Sequence, residues 1–518
     1  MTKRLISPLS VILSIIFFTI IICSCLFTPH HDEKEPPLVR GTKDGYTLAK
    51  KHCSSCHSFV AAESLDKITW IKKVLPGMAH NLGIGIFGEN EYVNNSNYGS
   101  RIISFENWMK IVDYYNKNAP QKLSPAKPPE PTQNDWSIFE IKKPAHSIFP
   151  SARTMLVSVD TVTNNIYTSD GNTKFLYQWN NNLQLNDSIY LSSPAVSAKF
   201  LNDSQGKHKV IVATLGTMLP SDISEGQLLQ LNASKKSLSA DDTLAKNLSR
   251  PVQSVAVDFN NDGLTDWVVC EFGHLKGGLY WLQQLPNGSF RKNSIIDVPG
   301  SLQAIVGDFN KDGWLDLMVL FAHDDECIRL FTNNKNGSFT SQKILTFPPV
   351  YGSSSFQMVD FNKDGLLDIL YTCGDNSDLS QILKPFHGLY IYLNKGNFNY
   401  EQSYFYPING CTKAVAADFD KDGDLDIATI AFFADFKNNP AEKFLYFEQD
   451  KKMHFISHAP PIEKNGRWIC MDVADYDHDG DLDIILGNFA SGFIILKDYR
   501  PNWDYTTPFI ILENKTVK

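Results

Sequence analysis

The sequence predicts a multidomain chain: a small all-α domain followed by an all-β propeller of about seven four-stranded blades. Three observations lead there. A nonapeptide of the form D-x-[DN]-x-D-G-x-x-D recurs five times between residues 258 and 483, its starts 50, 52, 58 and 57 residues apart, a period proper to blades or solenoids. Runs rich in Val, Ile, Leu and aromatic residues flank each copy, as strands would. Ahead of them, two segments of helical periodicity bracket a single C-x-x-C-H pentapeptide, and a Pro-rich stretch divides the two halves. With 518 residues, 43% of them hydrophobic and 20% charged, the chain can bury a large core. A net charge of −9 without any basic stripe excludes a nucleic-acid partner.

Residues 1–25 read as an export signal. Lys3 and Arg4 supply the positive start, Leu5 to Ile22 is almost wholly apolar, and the stretch ends in Ile22-Cys23-Ser24-Cys25. That ending resembles a bacterial lipobox, which makes Cys25 the acylated residue. An uncleaved anchor competes, because an apolar run of this length can span a bilayer. Both readings place the rest at the cell envelope, membrane-anchored and facing the periplasm or the cell surface. Residues 26–40, with His30, His31, Pro36 and Pro37, read as a solvated tether.

Cys53-Ser54-Ser55-Cys56-His57 has the spacing of a c-type haem attachment site. Two thiols can add to the vinyl groups while the neighbouring imidazole reaches the iron. A thioredoxin-like pair would want a βαβ setting and a zinc site a second Cys/His pair, and neither lies nearby. Lys43 to His52 reads as a helix entering the motif. Phe105 to Asn116, capped by Ser104, carries Trp108, Ile111, Val112 and Tyr115 at helical spacing. This order resembles class I cytochromes c over residues 41–119. The resemblance implies one covalent haem c held by Cys53, Cys56 and His57, with Met78 of the turn-rich segment Leu75-Pro76-Gly77-Met78-Ala79-His80 as sixth ligand. His80 and Met109 are the alternatives. No distal acid–base pair is visible, so electron transfer is expected rather than peroxidase chemistry. Residues 120–135, with Pro120, Pro125, Pro128, Pro129 and Pro131, read as a semi-rigid spacer.

In the nonapeptide, side chains at positions 1, 3, 5 and 9 can surround one cation, and Gly at position 6 permits the sharp reversal. The candidate ligands are Asp258, Asn260, Asp262 and Asp266; Asp308, Asn310, Asp312 and Asp316; Asp360, Asn362, Asp364 and Asp368; Asp418, Asp420, Asp422 and Asp426; and Asp475, Asp477, Asp479 and Asp483. An EF-hand is excluded, because position 12 is Val269, Val319, Tyr371, Thr429 or Leu486 and the flanks are strand-like. The five copies hold 19 Asp, which would repel one another without cations. The pattern resembles the FG-GAP/VCBS repeats of integrin-α-like β-propellers. That implies a propeller over residues 136–518 with about five structural Ca²⁺. Residues 136–250 leave room for two more blades, with loop remnants at Val157–Asp160 and Ala198–Asp203. Cys270, Cys327, Cys373, Cys411 and Cys470 are an odd set, read as buried thiols or at most two disulfides.

If the acidic loops join strands one and two, they share one face, and the other face carries the connections between strands two and three. There the repeats diverge and become polar, and His323, Asp325, Asp375, His387 and Arg467 are the expected lining of a ligand funnel. The resulting expectation is an envelope-anchored haem c electron-transfer protein, its propeller a docking platform, exchanging electrons with a redox partner protein or a small-molecule donor. Two rivals remain. The propeller could oxidise a sugar or alcohol and pass electrons to the haem, which resembles quinohaemoprotein dehydrogenases in arrangement though not in repeat type. Alternatively, the propeller could bind surface glycans as an adhesin. Enzymatic activity is the lesser expectation.

Overall fold

The computed structural model describes residues 38–94, 102–145, 149–203, 205–323, 325–377, 381–492 and 499–516. The segment read as an export signal, with Cys25, lies outside the described residues. Among those residues no helix is long and apolar enough to cross a membrane.

Three helical segments build the small N-terminal region: α1 (Lys43–Cys53), α2 (Lys67–Thr69, Trp70–Val74 and Leu75–Asn81 run together, the middle part as a π turn) and α3 (Phe105–Asn118). α3 begins where the capping signal stands, Ser104 Oγ accepting the Asn107 N–H at 3.2 Å. α1 and α3 cross at Gly45, where a Cβ would sit 2.2 Å from the Lys110 carbonyl oxygen. Trp70, Trp108, Ile111, Tyr114 and Tyr115 fill the core between the helices. The region is not purely helical. A small hairpin, β1 (Gly85–Phe87) with β2 (Glu91–Val93), follows α2.

The rest is a ring of seven four-stranded antiparallel sheets. Blades 1 to 7 occupy residues 154–190, 195–248, 251–296, 301–346, 353–407, 411–458 and 468–514. The seventh takes its outermost strand from the other end of the domain. β3 (Phe139–Lys142) pairs antiparallel with Phe509–Asn514 and closes the ring. In blades 3 to 7 the second strand is buried at every position, as in Asp316–Phe321, because it is covered by a blade on each side. This explains the near-continuous apolar runs such as Leu317-Met318-Val319-Leu320. Outer strands such as Phe290–Ile296 have no fully buried position and are exposed at Arg291, Lys292 and Ser294.

Residues 120–135 are no free spacer. Gln133 bridges to blade 6, its N–H donating to the Ser457 carbonyl at 2.8 Å, and Thr132 Oγ1 lies 3.0 Å from the Tyr406 hydroxyl. Proline stiffness and these bonds hold the linker along the outer edge of the ring. Val350 and Ile382, from connections of the propeller, pack against the helical core of the small region.

Candidate functional site

A cavity of about 550 Å³, open in part to solvent, lies between the helical region and the propeller. On one side it is lined by Cys53, His57, Val60, Leu65, Trp70, Val74, Leu75, Met78, Trp108 and Tyr115. On the other it meets the connections of blades 2 to 5, through Met218, Arg250, Phe272, His274, His323, Glu326, Val350 and Asp375 among others. The C-x-x-C-H motif falls at the end of α1, where the helix unwinds into a turn and delivers Cys53 and His57 together. The His57 Nδ1–H faces the Ser58 carbonyl at 2.8 Å, which leaves Nε2 as the free coordinating atom. Burial, then the neighbouring Cys56, pushes the Cys53 thiol up to about 11. A thioredoxin-type nucleophile needs the opposite shift, so that alternative loses its chemistry here. Cys56 is exposed, and both thiols are free.

The residues fit a covalent haem. They offer the Cys53 thiol, an imidazole with one oriented nitrogen, a thioether, an apolar wall with two indoles, and a buried Trp108 Nε1–H without a partner, while the exposed Cys56 thiol lies three residues on, outside the lining. Met78 lies on α2 rather than in a loop, Pro76 being accommodated in the first turn of the Leu75–Asn81 segment, and it faces the same cavity as His57. His80 and Met109 are exposed and line no part of it.

The five residues expected to form one funnel do not converge. His323 and Asp375 line this cavity, and His323 stacks near Phe272 and His274 at centroid distances of 6.1 and 6.2 Å. Asp325 turns away to pair with Arg329 Nη2 at 2.9 Å and Lys343 Nζ at 2.7 Å. His387 lies in a separate cavity of about 390 Å³ beneath the linker prolines Pro125 and Pro128. Arg467 is buried with its guanidinium 3.6 Å from the Phe432 ring centre, and desolvation lowers it to about 9. Long, dissimilar connections scatter these side chains, so position in the repeat was no guide to proximity. Glu326 and Arg250 belong to the shared cavity and were missed, because nothing local marks a residue that meets another domain.

On the opposite face each acidic loop joins strands one and two, as expected. Position 6 is left-handed throughout, from φ +80° at Gly263 to +97° at Gly480. Position 4 is left-handed as well, at Asn261, Lys311, Lys363, Lys421 and His478. In the last two loops Asp418, Asp420 and Asp422, and Asp475, Asp477 and Asp483, bring carboxylate oxygens within 4.8 Å of one another. Buried oxygens of Asn260, Asn362, Asp418, Asp424 and Asp475 lack hydrogen-bond partners, which suits a cation.

Position 9 has a second duty that spacing did not reveal. Asp316 Oδ1 accepts the Asn333 N–H at 2.8 Å and Oδ2 the Phe309 N–H at 3.2 Å. Asp368, Asp426 and Asp483 repeat the arrangement. Asn333 and Asn514 then donate to Phe259 and Phe419 carbonyls of the preceding blades, wiring one loop to the next. The recurring Asn at the end of the third strand was the available signal.

Among known proteins, the FG-GAP-like repeat matches residues 258–319 and 308–371. The chain is a seven-bladed β-propeller carrying FG-GAP repeats, with a small helical region ahead of it. It is distantly similar to mouse (Mus musculus) cartilage acidic protein 1, at 25% identity over 191 residues, 36% of this chain and 29% of that protein. The chain thus matches less than a third of that relative's length. In overall shape it is similar to the WD40 domain of Neurospora crassa Pan2 (TM-score 0.44, 8% identity, 74% of this chain and 97% of that one). A Lactobacillus plantarum protein is also similar (TM-score 0.40, 11% identity, 60% and 86%).

Proposed function

We propose that the protein is an envelope-anchored electron carrier, with one haem c in the cavity between the helical region and the propeller and Ca²⁺ in the five acidic loops. The carrying observation is that Cys53, His57 and Met78 line a single cavity of about 550 Å³ walled by apolar side chains. Bound there, the haem would supply one-electron transfer. His57 would hold the iron through Nε2, Cys53 and Cys56 would anchor the ring, and Met78 would complete the ligand set, favouring electron transfer over oxygen chemistry. The apolar side chains on the helical side would lower the polarity around the group and so tune its potential. Cys25 would carry the lipid that holds the chain at the membrane. A redox partner protein or small donor would be its counterpart, and the propeller would provide the docking surface.

A second reading, oxidation of a small substrate with the haem as acceptor, draws support from His323 and Asp375 lining the same cavity as His57. Adhesion to glycans has no comparable observation behind it. The test is expression in a bacterium that matures c-type cytochromes. The expected result is a Soret band that survives acid–acetone extraction and is lost in Cys53→Ser/Cys56→Ser; a colourless wild-type protein would overturn the proposal. Haem reduction by a sugar or alcohol without added partner would favour the second reading.

A further inference from the structure

Glu326 is the one buried carboxyl on the propeller side of the shared cavity that has no cation beside it. It ends the connection between strands two and three of blade 4 and is 3% exposed. Its Oε2 accepts from Ser353 N at 2.8 Å and Ser353 Oγ at 2.5 Å, and Oε1 from Gly352 N at 3.2 Å. Ser353 Oγ lies in turn 2.6 Å from the Tyr371 hydroxyl. No Lys, Arg or His pairs with it among the described residues. The other charged and titratable groups facing it are Asp375, His274, His323, Arg250 and Lys384 around the cavity, and Tyr371 and Cys373 behind it. Arg250 is committed elsewhere, to the Gly273 and Met218 carbonyls and the Phe272 ring.

We infer that Glu326 takes up a proton when the haem in this cavity is reduced, making this a proton-coupled electron carrier. The inference rests on the proposed haem. The haem, when bound, would supply the one-electron chemistry; for each electron that a donor delivers to it, solvent hydronium would give one proton to the Glu326 carboxylate, so that the net charge lining the cavity is unchanged. Burial of the carboxyl itself is what makes the coupling strong, since a charge placed near a side chain 3% exposed meets little screening. Desolvation already lifts this carboxyl to about 7, into the range where such a charge decides its state.

The test is a spectroelectrochemical titration of the full-length holoprotein between pH 5 and 9. Between the ferric and ferrous pKa values of the carboxyl, the equilibrium constant for reduction should fall tenfold per pH unit, about 59 mV for one electron. Glu326→Gln should flatten that dependence while leaving the Soret band in place. Glu442→Gln serves as control: it is another buried carboxyl lifted to about 7, but it does not line this cavity. It should leave the slope unchanged. Equal slopes in wild type and Glu326→Gln would overturn the inference and leave the haem reading intact. An absent Soret band in wild type would remove both. Should Glu326→Gln fail to fold, the reduced-minus-oxidised infrared spectrum of wild type decides. A deuterium-sensitive protonated-carboxyl band must appear on reduction, and its absence is fatal.

Discussion

In blades 1 and 2 the carboxylates at the connections between strands one and two are held by the protein's own side chains. His208 Nε2 lies 2.7 Å from Asp160, and Lys209 Nζ lies 2.7 Å from Asp241 and 3.5 Å from Asp203. In blades 3 to 7 the equivalent connections gather carboxylates around a common point, and side-chain cations are almost absent from it. Both sets of blades fold the same four strands. The difference teaches that the strand pairing forms with either kind of loop, whereas the long acidic loop is the one whose carboxylates are arranged to take the proposed calcium. Where the loop is shortened to Asp160–Asn165 or Asn202–His208, a histidine or lysine on the second strand reaches the carboxylate. Where it keeps the full nonapeptide, carboxylates converge with at most a half-exposed lysine beside them, as Lys335 lies beside Asp312, and the gap suits a divalent ion.

The largest expected break in this comparison comes from chelation. At free Ca²⁺ about 100 times the dissociation constant, each occupied loop adds about 2.7 kcal/mol. EDTA should therefore lower the melting temperature sharply. Hydrogen exchange should quicken at residues 258–266, 308–316, 360–368, 418–426 and 475–483, and stay unchanged at 160–165 and 202–208. Uniform loss of protection in all seven blades would show that blades 1 and 2 are not independent of the metal. Next in size is Asp422→Ala, which removes one of three converging carboxylates in blade 6 and should cost about 2 kcal/mol in excess Ca²⁺ and little in EDTA. Lys209→Met should behave in the opposite way. It strands Asp203 and Asp241, costs about 1–2 kcal/mol, and does so equally with and without calcium.

How much of this was legible follows from where the determinants lie. The acidic loops were readable because each is a local device: nine residues contain the carboxylates, the glycine and the reversal. The blade count was readable from their period. Phe139–Lys142 as the closing strand was not, since four residues of ordinary strand character say nothing of a partner some 370 residues away. The C-x-x-C-H motif was equally local, and α3 carried its own cap at Ser104 and its own periodicity. The cavity was another matter. That Glu326 and His323 would face His57 depends on how two domains dock, and no spacing along the chain encodes it. The same holds for Arg467 and His387, which precede the first strand of blade 7 and the third strand of blade 5 and end in different surroundings.

A pH series separates the two faces. Burial lifts Glu326 and Glu442 to about 7, well above the value each carboxyl has in the unfolded chain. The folded state therefore binds the extra protons between about pH 4.5 and 7. Stability should be fully present below that window and decline as pH rises through 7. Glu442→Gln should remove part of the decline, by about 1–2 kcal/mol at pH 8, in saturating Ca²⁺ and in EDTA alike. A slope that survives in Glu442→Gln at full height would assign it to other groups.

The smallest effect is the most discriminating, because one loop of blade 4 already borrows from blade 2. Lys335 Nζ lies 3.2 Å from Asp312 Oδ2, at position 5 of a calcium loop, and is 44% exposed. A half-exposed ammonium is worth at most about 1 kcal/mol to its partner, so it cannot replace a divalent ion as buried Lys209 does in blade 2. It should instead compete. Lys335→Met frees Asp312 for the metal and should tighten calcium at that loop by about twofold to fivefold, measured by titration calorimetry. It should at the same time lower the stability of the calcium-free protein by a few tenths of a kcal/mol. Opposite signs in the two states are what the comparison between the blades requires. A change of the same sign in both would mean that Lys335 merely packs, its methylene stem against Trp314, whose ring lies 6.0 Å from the ammonium.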